Sequence, residues 1–105
     1  MADLVWTSPA FLVLETLPPA IGMGLFGLAE RLGDFPKMGS PLDGYSKAFA
    51  GYRQLIYRRQ FRAIYEFDET ENCVYILHLQ DCRQRFPTAR ELKRVRSPDG
   101  DLPLE

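Results

Sequence analysis

The sequence has little cysteine and histidine. Its 105 residues include two cysteines, Cys73 and Cys82, and one histidine, His78. So few thiols and imidazoles exclude a disulfide framework and a four-ligand zinc site, and both thiols are expected to be free. No apolar run approaches the roughly 18 residues of a transmembrane helix, and residues 1–11 lack the basic start and cleavage site of a signal peptide. We therefore expect a cytoplasmic protein without metal, cofactor or membrane contact.

The length and composition fit one folded domain. A chain of 105 residues has room for a single hydrophobic core. Its content of 46% hydrophobic, 12% aromatic and 26% charged residues excludes a disordered tail and a coiled coil. We predict one domain over residues 1–96, followed by a loose acidic tail over residues 97–105.

Positive charge is concentrated in the second half of the chain. The net charge is −1, but nine of the ten arginines lie between residues 53 and 96, with Arg31 the exception. Residues 53–96 carry ten basic and six acidic side chains, whereas residues 1–52 carry three and five. This half is either a phosphate-binding surface or a solvated face balanced by neighbouring carboxylates.

The residue pattern predicts an α+β fold. Apolar residues repeat at helical spacing between Ile21 and Leu32, and at a period of two from Tyr52 onward. The predicted elements are a strand at 3–7, helices at about 9–17 and 19–32, strands at 52–57, 61–67 and 73–79, and a short basic helix at 87–96. Short connections between consecutive strands indicate an antiparallel meander, on which the two N-terminal helices would pack.

The register of that meander decides which side chains share a face. A two-residue turn at Arg58-Arg59 and a five-residue loop at 68–72 would pair residue 62 with residues 55 and 78. One face would then carry Arg53, Arg62 and His78. The other would carry the core, formed by Phe61, Ala63, Tyr65, Phe67, Cys73, Tyr75, Leu77 and Leu79. A change of one residue in either loop would move a whole strand's side chains across the sheet.

Several polar side chains are candidates for a phosphate site. Arginine on a sheet face is usually paired or bound to an anion, and Arg53, Arg62 and Arg83 are such candidates. Glu66 offers the alternative of a structural ion pair. His78 is either a structural histidine or a general acid or base beside Arg62.

Other features have simple alternatives. Arg58 and Arg59 at a turn tip are explained by exposure alone, and Phe86 either stacks on a nucleobase or anchors the last helix. The G-x-G-x-x-G pattern at residues 22–27 lacks the preceding strand and parallel sheet of a dinucleotide site. That pattern therefore indicates close helix packing.

Motifs along most of the chain occur in a known order. They are the opening VWTSPAF, the helical pair ending in LGDFP, the loop GSPLDG, and above all GYRQLIYRRQFRAIYEFD followed by VYILHL. Over residues 4 to about 95 the chain thereby resembles the RelE/ParE toxin superfamily of bacterial toxin–antitoxin systems. Leu77-His78 and Pro87 also resemble its HigB-type branch.

This resemblance implies two helices on a twisted antiparallel sheet, and neutralisation by a cognate antitoxin protein. RelE-like members cut mRNA in the ribosomal A site, which would make Arg62, Arg83 and His78 catalytic. Phosphate and RNA would be bound by Arg53, Arg58, Arg59, Arg85 and Phe86. ParE-like members instead inhibit DNA gyrase without catalysis, and an inactive homologue would bind only the antitoxin.

Departures from the RelE-like pattern keep the gyrase alternative open. Phe86 has no hydroxyl where many RelE-like enzymes have tyrosine, and Leu55 stands where that branch has lysine. Asp81 interrupts the basic run after the last strand. The sequence therefore predicts a toxin, with ribosome-dependent mRNA cleavage as the first function and gyrase inhibition as the alternative.

Overall fold

A five-stranded sheet with helices on both faces forms the fold. The computed structural model describes residues 1–96, and none of the helices there is long and apolar enough to cross a membrane. The elements, in chain order, are β1 (Asp3–Trp6), α1 (Ser8–Thr16), α2 (Pro19–Glu30), β2 (Ser40–Pro41), β3 (Tyr52–Tyr57), β4 (Phe61–Asp68), β5 (Cys73–Asp81) and α3 (Ala89–Arg96). The predicted α+β class is confirmed, and the predicted elements occur in their predicted order, whereas β2 between α2 and β3 was not predicted. The predicted acidic tail, residues 97–105, lies outside the described residues.

The predicted meander forms the centre of the sheet. The strand order is β1-β5-β4-β3-β2, with β3, β4 and β5 paired antiparallel. β1 lies beside β5 and runs parallel to it, with Leu4 opposite Val74. The whole sheet is therefore mixed, with antiparallel pairing everywhere except at β1.

Each face of the sheet has its own hydrophobic core. On one face, α1 and α2 pack on side chains that include Leu55, Ala63, Tyr65, Val74, Ile76 and Leu79. On the other face, Leu92 of α3 packs with Leu42, Tyr52, Ile64 and Leu77. We call the second surface the α3 face.

The turn between β3 and β4 is one residue longer than predicted. Tyr57 pairs with Phe61, so the loop comprises residues 58–60. Arg58 and Arg59 in that loop have φ values of 54° and 57°, and the Tyr57 carbonyl accepts a hydrogen bond from the Gln60 amide at 3.0 Å. Two successive left-handed residues form a type I′ turn, whose twist matches that of the hairpin.

The longer turn moves the side chains of β3 to the opposite faces. Arg53 lies opposite Tyr65, whereas Arg62 lies opposite Ile56. Because side chains alternate along a strand, Arg53 and Arg62 point to different sides of the sheet. The predicted grouping of Arg53 with Arg62 and His78 on one face is therefore wrong.

A β-bulge in β5 shifts the second register. Ile64 pairs with His78 and Tyr65 pairs with Ile76, which leaves Leu77 as the extra residue. The bulge lets Leu77 and His78 both lie on the α3 face. The predicted pairing of residues 62 and 78 is wrong, as is the placement of Leu77 under α1 and α2.

Tyr65 and Arg53 fix the loop between α2 and β3. The Tyr65 hydroxyl accepts a hydrogen bond from the Gly39 amide and donates one to the Pro36 carbonyl, both at 2.8 Å. Arg53 Nη1 donates to the carbonyls of Lys37 at 3.2 Å and Gly39 at 2.7 Å. Burial raises the pKa of the Tyr65 hydroxyl, so it remains protonated and able to donate. The Arg53 guanidinium thus holds a loop in place.

Gly39 offers a direct test of this loop packing. A Cβ at residue 39 would lie 2.6 Å from the Gln54 carbonyl oxygen and 2.7 Å from the Tyr65 ring. Because overpacking forces backbone to shift, we expect Gly39→Ala to lower the free energy of unfolding by about 2 kcal/mol in urea denaturation. Gly44→Ala is the matched control, since no atom lies within 4 Å of its added Cβ. Equal losses in both variants would contradict the packing described here.

Candidate functional site

A cavity of about 300 Å³ opens on the α3 face at the end of β5. β5, the loop that follows it and α3 contribute its walls, which are formed by His78, Gln80, Gln84, Arg85, Phe86, Pro87 and Glu91. Arg62 reaches the same place because it pairs with Gln80 across the β4–β5 ladder. The structure therefore brings Arg62, His78, Arg85 and Phe86 together, as four of the candidate residues.

Arg62 is held by uncharged groups. Its Nη1 donates a hydrogen bond to Gln80 Oε1 at 3.0 Å, and its Cζ lies 4.2 Å from the centroid of the Phe86 ring. Its Nε is buried without a hydrogen-bond partner. Among residues 1–96, no carboxylate lies within ion-pair distance of this guanidinium. No carboxylate of residues 1–96 therefore balances its positive charge.

His78 is neutral in this environment at pH 7. The side chain is half-buried, and burial is the largest influence that lowers its pKa from 6.5. Arg62 lowers the pKa further, while Glu91 raises it. A neutral imidazole has a free nitrogen lone pair, so His78 can accept a proton at physiological pH.

Glu91 is fixed at the cavity by the start of α3. The Thr88 amide donates to Glu91 Oε1 at 2.7 Å, and the Glu91 amide donates to Thr88 Oγ1 at 3.1 Å. This reciprocal pair is a capping box. The hydrogen bond from the Thr88 amide is the main cause that lowers the pKa of Glu91, which therefore carries a negative charge. Glu91 was not among the predicted site residues, although the T-x-x-E spacing at the start of α3 is its signal.

Phe86 is an anchor in this structure. Its ring centroid lies 5.0 Å from that of Tyr45 and 5.8 Å from that of Phe49, and Arg62 covers it as well. The ring therefore belongs to the core under α3, and it shapes the cavity by holding Arg62.

Two predicted site residues are engaged elsewhere. Arg53 lies on the opposite face and binds the carbonyls of Lys37 and Gly39. Arg83 pairs with Asp81, with 3.1 Å between Nε and Oδ1, and its side chain is 87% exposed. The hydrogen bonds from Arg83 hold the pKa of Asp81 down to about 2. Neither guanidinium lines the cavity.

Exposed arginines surround the cavity end of the sheet. The hairpin turn and the loop after β5 are joined by a hydrogen bond of 2.7 Å from the Cys82 amide to the Gln60 carbonyl. This connection places four exposed arginines at one end of the sheet, which we call the basic end: Arg58, Arg59, Arg83 and Arg85.

Residues 1–96 offer no metal site. No three histidine, cysteine, aspartate or glutamate side chains in this range are placed to hold an ion. Cys73 is buried, Cys82 is half-buried, and both thiols are free.

Known structures share this architecture. No family model and no curated protein matches the chain. A chain of the RelBE2 toxin–antitoxin complex from Mycobacterium tuberculosis is similar to it, with 27% identity, a TM-score of 0.66, and coverage of 76% of this chain and 96% of that one. The isolated RelE toxin of E. coli aligns at 13% identity and a TM-score of 0.66, over 90% of this chain and 99% of that one. These neighbours support the resemblance to the RelE/ParE superfamily that the sequence predicted.

The residues predicted for the site did not include Gln80. Its signal was present, since a polar side chain follows Leu79 on a mainly apolar strand. Because the register was shifted, residue 80 was not placed beside Arg62. The structure shows the pairing directly.

Proposed function

We propose that this protein is the toxin of a type II toxin–antitoxin pair and that it cleaves mRNA on the ribosome. The observation that carries this proposal is the neutral His78 beside Arg62, whose charge no carboxylate of residues 1–96 balances. A base next to an available cation, at an open cavity, suits attack on a phosphodiester. The structural similarity to RelE and to RelBE toxin–antitoxin complexes supports the toxin assignment.

In the proposed reaction, His78 takes the proton from the ribose 2′-hydroxyl next to the scissile phosphate. The 2′-oxygen forms a bond to phosphorus while the bond from phosphorus to the 5′-oxygen breaks, and water protonates that leaving oxygen. Arg62 stabilises the charge that develops on the phosphoryl oxygens. The products are a 2′,3′-cyclic phosphate and a 5′-hydroxyl end. Since the pKa of His78 is lowered, activity should fall only as the pH drops below 6.5 and through that lowered value.

The basic end suits a contact with RNA phosphates outside the cavity. Arg58 and Arg59 adopt positive φ values, a region that costs most L-residues about 1–2 kcal/mol each. A type I′ turn ordinarily contains Asn-Gly. Two arginines at positions that favour other residues support a role for their charge.

The same surfaces suit an antitoxin. An acidic segment that folds on binding would place carboxylates against Arg62 and Arg85. Its apolar anchors would fit the groove of about 540 Å³ between α1 and α2, whose walls include Phe11, Leu14, Met23 and Phe26. The carboxylates would then mainly set the association rate of the antitoxin and its salt dependence. The apolar anchors would mainly set the residence time of the complex.

Mapping of transcript 5′ ends after induction tests the cleavage reaction. The parent should produce new 5′-hydroxyl ends within codons. His78→Gln should lower the yield of these ends by about 10²-fold or more, because the general base is lost. Arg62→Gln should lower the yield by a similar factor, because the positive charge beside the phosphate is lost. Arg31→Gln is the matched control, since that arginine is exposed and lies away from the cavity.

The absence of new ends would contradict the proposal. If excess pure protein then inhibited supercoiling by DNA gyrase, the ParE-like alternative would replace it. If expression without an antitoxin were harmless, the chain would be an inactive homologue.

Replacing Arg58-Arg59 by Asn-Gly should change stability and activity in opposite directions. Relief of the positive-φ cost should raise the free energy of unfolding by about 1 kcal/mol. Loss of two phosphate contacts should weaken ribosome binding and reduce the slope of log K against log salt by about 1–2. A Lys-Lys variant keeps charge and backbone strain, so it should keep both properties of the parent. Undiminished cleavage by the Asn-Gly variant at every salt concentration would contradict a role for the basic end in RNA binding.

A further inference from the structure

Gln80 differs from the other polar residues of the described chain in the exposed fraction of its side chain. Its side chain is 4% exposed, and it is the one polar or charged residue among residues 1–96 that is buried. A buried amide is costly unless its hydrogen bonds are satisfied. The stability of this arrangement therefore depends on the hydrogen bonds that the Gln80 amide makes.

Both ends of the Gln80 amide are used, and both partners belong to the cavity. Oε1 accepts the hydrogen bond of 3.0 Å from Arg62 Nη1. Nε2 donates a hydrogen bond of 2.8 Å to the backbone carbonyl of Arg85. One side chain thus connects β4 to the loop that carries Arg85 and Phe86, and Phe86 in turn covers the Arg62 guanidinium.

A second half-buried arginine shows the usual alternative. Arg96 lies 3.7 Å above the Tyr75 ring, much as Arg62 lies above Phe86. Arg96, however, is surrounded by carboxylates, with N–O distances of 3.5 Å to Glu66, 2.9 Å to Asp68 and 3.4 Å to Glu71. The chain holds this structural arginine with negative charge. It holds Arg62 with a neutral amide.

We propose that Gln80 is a positioning residue that fixes Arg62 and the Arg85 loop without neutralising Arg62. The ligand that benefits is a phosphodiester group of RNA, so this role deepens the proposed function and rests on it. A carboxylate at residue 80 would hold Arg62 equally well but would cancel its charge. It would also lose the donor that binds the Arg85 carbonyl.

Arginine side-chain signals in NMR spectra test this role separately from catalysis. The ¹⁵N-labelled full chain is titrated with inorganic phosphate while the Arg62 Nε–Hε signal is followed. The parent should show a saturable shift. Gln80→Glu should weaken the apparent affinity at least tenfold, and Gln80→Met should average the Arg62 Nη signals because both hydrogen bonds are lost. Thr70→Glu adds the same negative charge at an exposed residue of the loop between β4 and β5, at the other end of the sheet, and should resemble the parent.

Cleavage kinetics on programmed ribosomes provide the second measurement. We expect Gln80→Glu to lower kcat by about 10²-fold, with a smaller change in KM, because a misplaced or neutralised Arg62 acts mainly on the transition state. Urea denaturation should show both variants folded. If one variant does not fold, the other still tests the positioning role of Gln80, because a distinct change in the Arg62 NMR signals is expected for each variant.

The outcomes separate the two proposals. Phosphate affinity and kcat in Gln80→Glu equal to those of the parent would overturn the role of Gln80 and leave the proposed function intact. The predicted Arg62 behaviour in a protein that cleaves no RNA would support the role of Gln80 and overturn the proposed function. A loss of stability in both variants with unchanged Arg62 signals would make Gln80 merely structural and overturn its positioning role.

Discussion

The bulge in β5 is the constraint on which the candidate site depends. Ile64 pairs with His78 and Tyr65 pairs with Ile76, which leaves Leu77 as an extra residue. The two ends of β5 therefore pair with β4 in different registers. Leu77 can then enter the core beneath α3 while His78 lies on the same face. Without the extra residue, one register would hold along the whole strand, and Leu77 and His78 would point to opposite faces.

The arginine-rich half of the chain contains both arginines with structural partners and arginines without a carboxylate partner among residues 1–96 or exposed at the surface. Arg53 and Arg96 are structural, because one binds backbone carbonyls and the other binds three carboxylates. Arg62 is half-buried and hydrogen-bonded to the neutral Gln80 amide, and the basic end is exposed. A net charge of −1 therefore coexists with a local positive site, since Glu66, Asp68 and Glu71 lie beside Arg96 and not beside Arg62.

Periodicity was sufficient for the elements but not for their register. The helices and the three strands of the meander follow from apolar spacing, and Arg62 and His78 were rightly placed on one face. Arg53 was misplaced because the loop between β3 and β4 comprises residues 58–60, one residue more than the predicted turn. The bulge has no signal in apolar alternation, since every residue from Val74 to Leu77 is apolar. Gln80 therefore became visible as a partner of Arg62 only in three dimensions.

Titration of the single histidine by NMR tests the central claim that Arg62 and His78 act on each other across the α3 face. The account predicts a pKa for His78 below 6.5 in the parent, because of burial and of the Arg62 charge. Arg62→Gln should raise that pKa, and Arg83→Gln should leave it unchanged, since Arg83 is engaged with Asp81. A pKa of His78 above 6.5, or one that is the same in the parent and in Arg62→Gln, would contradict the account.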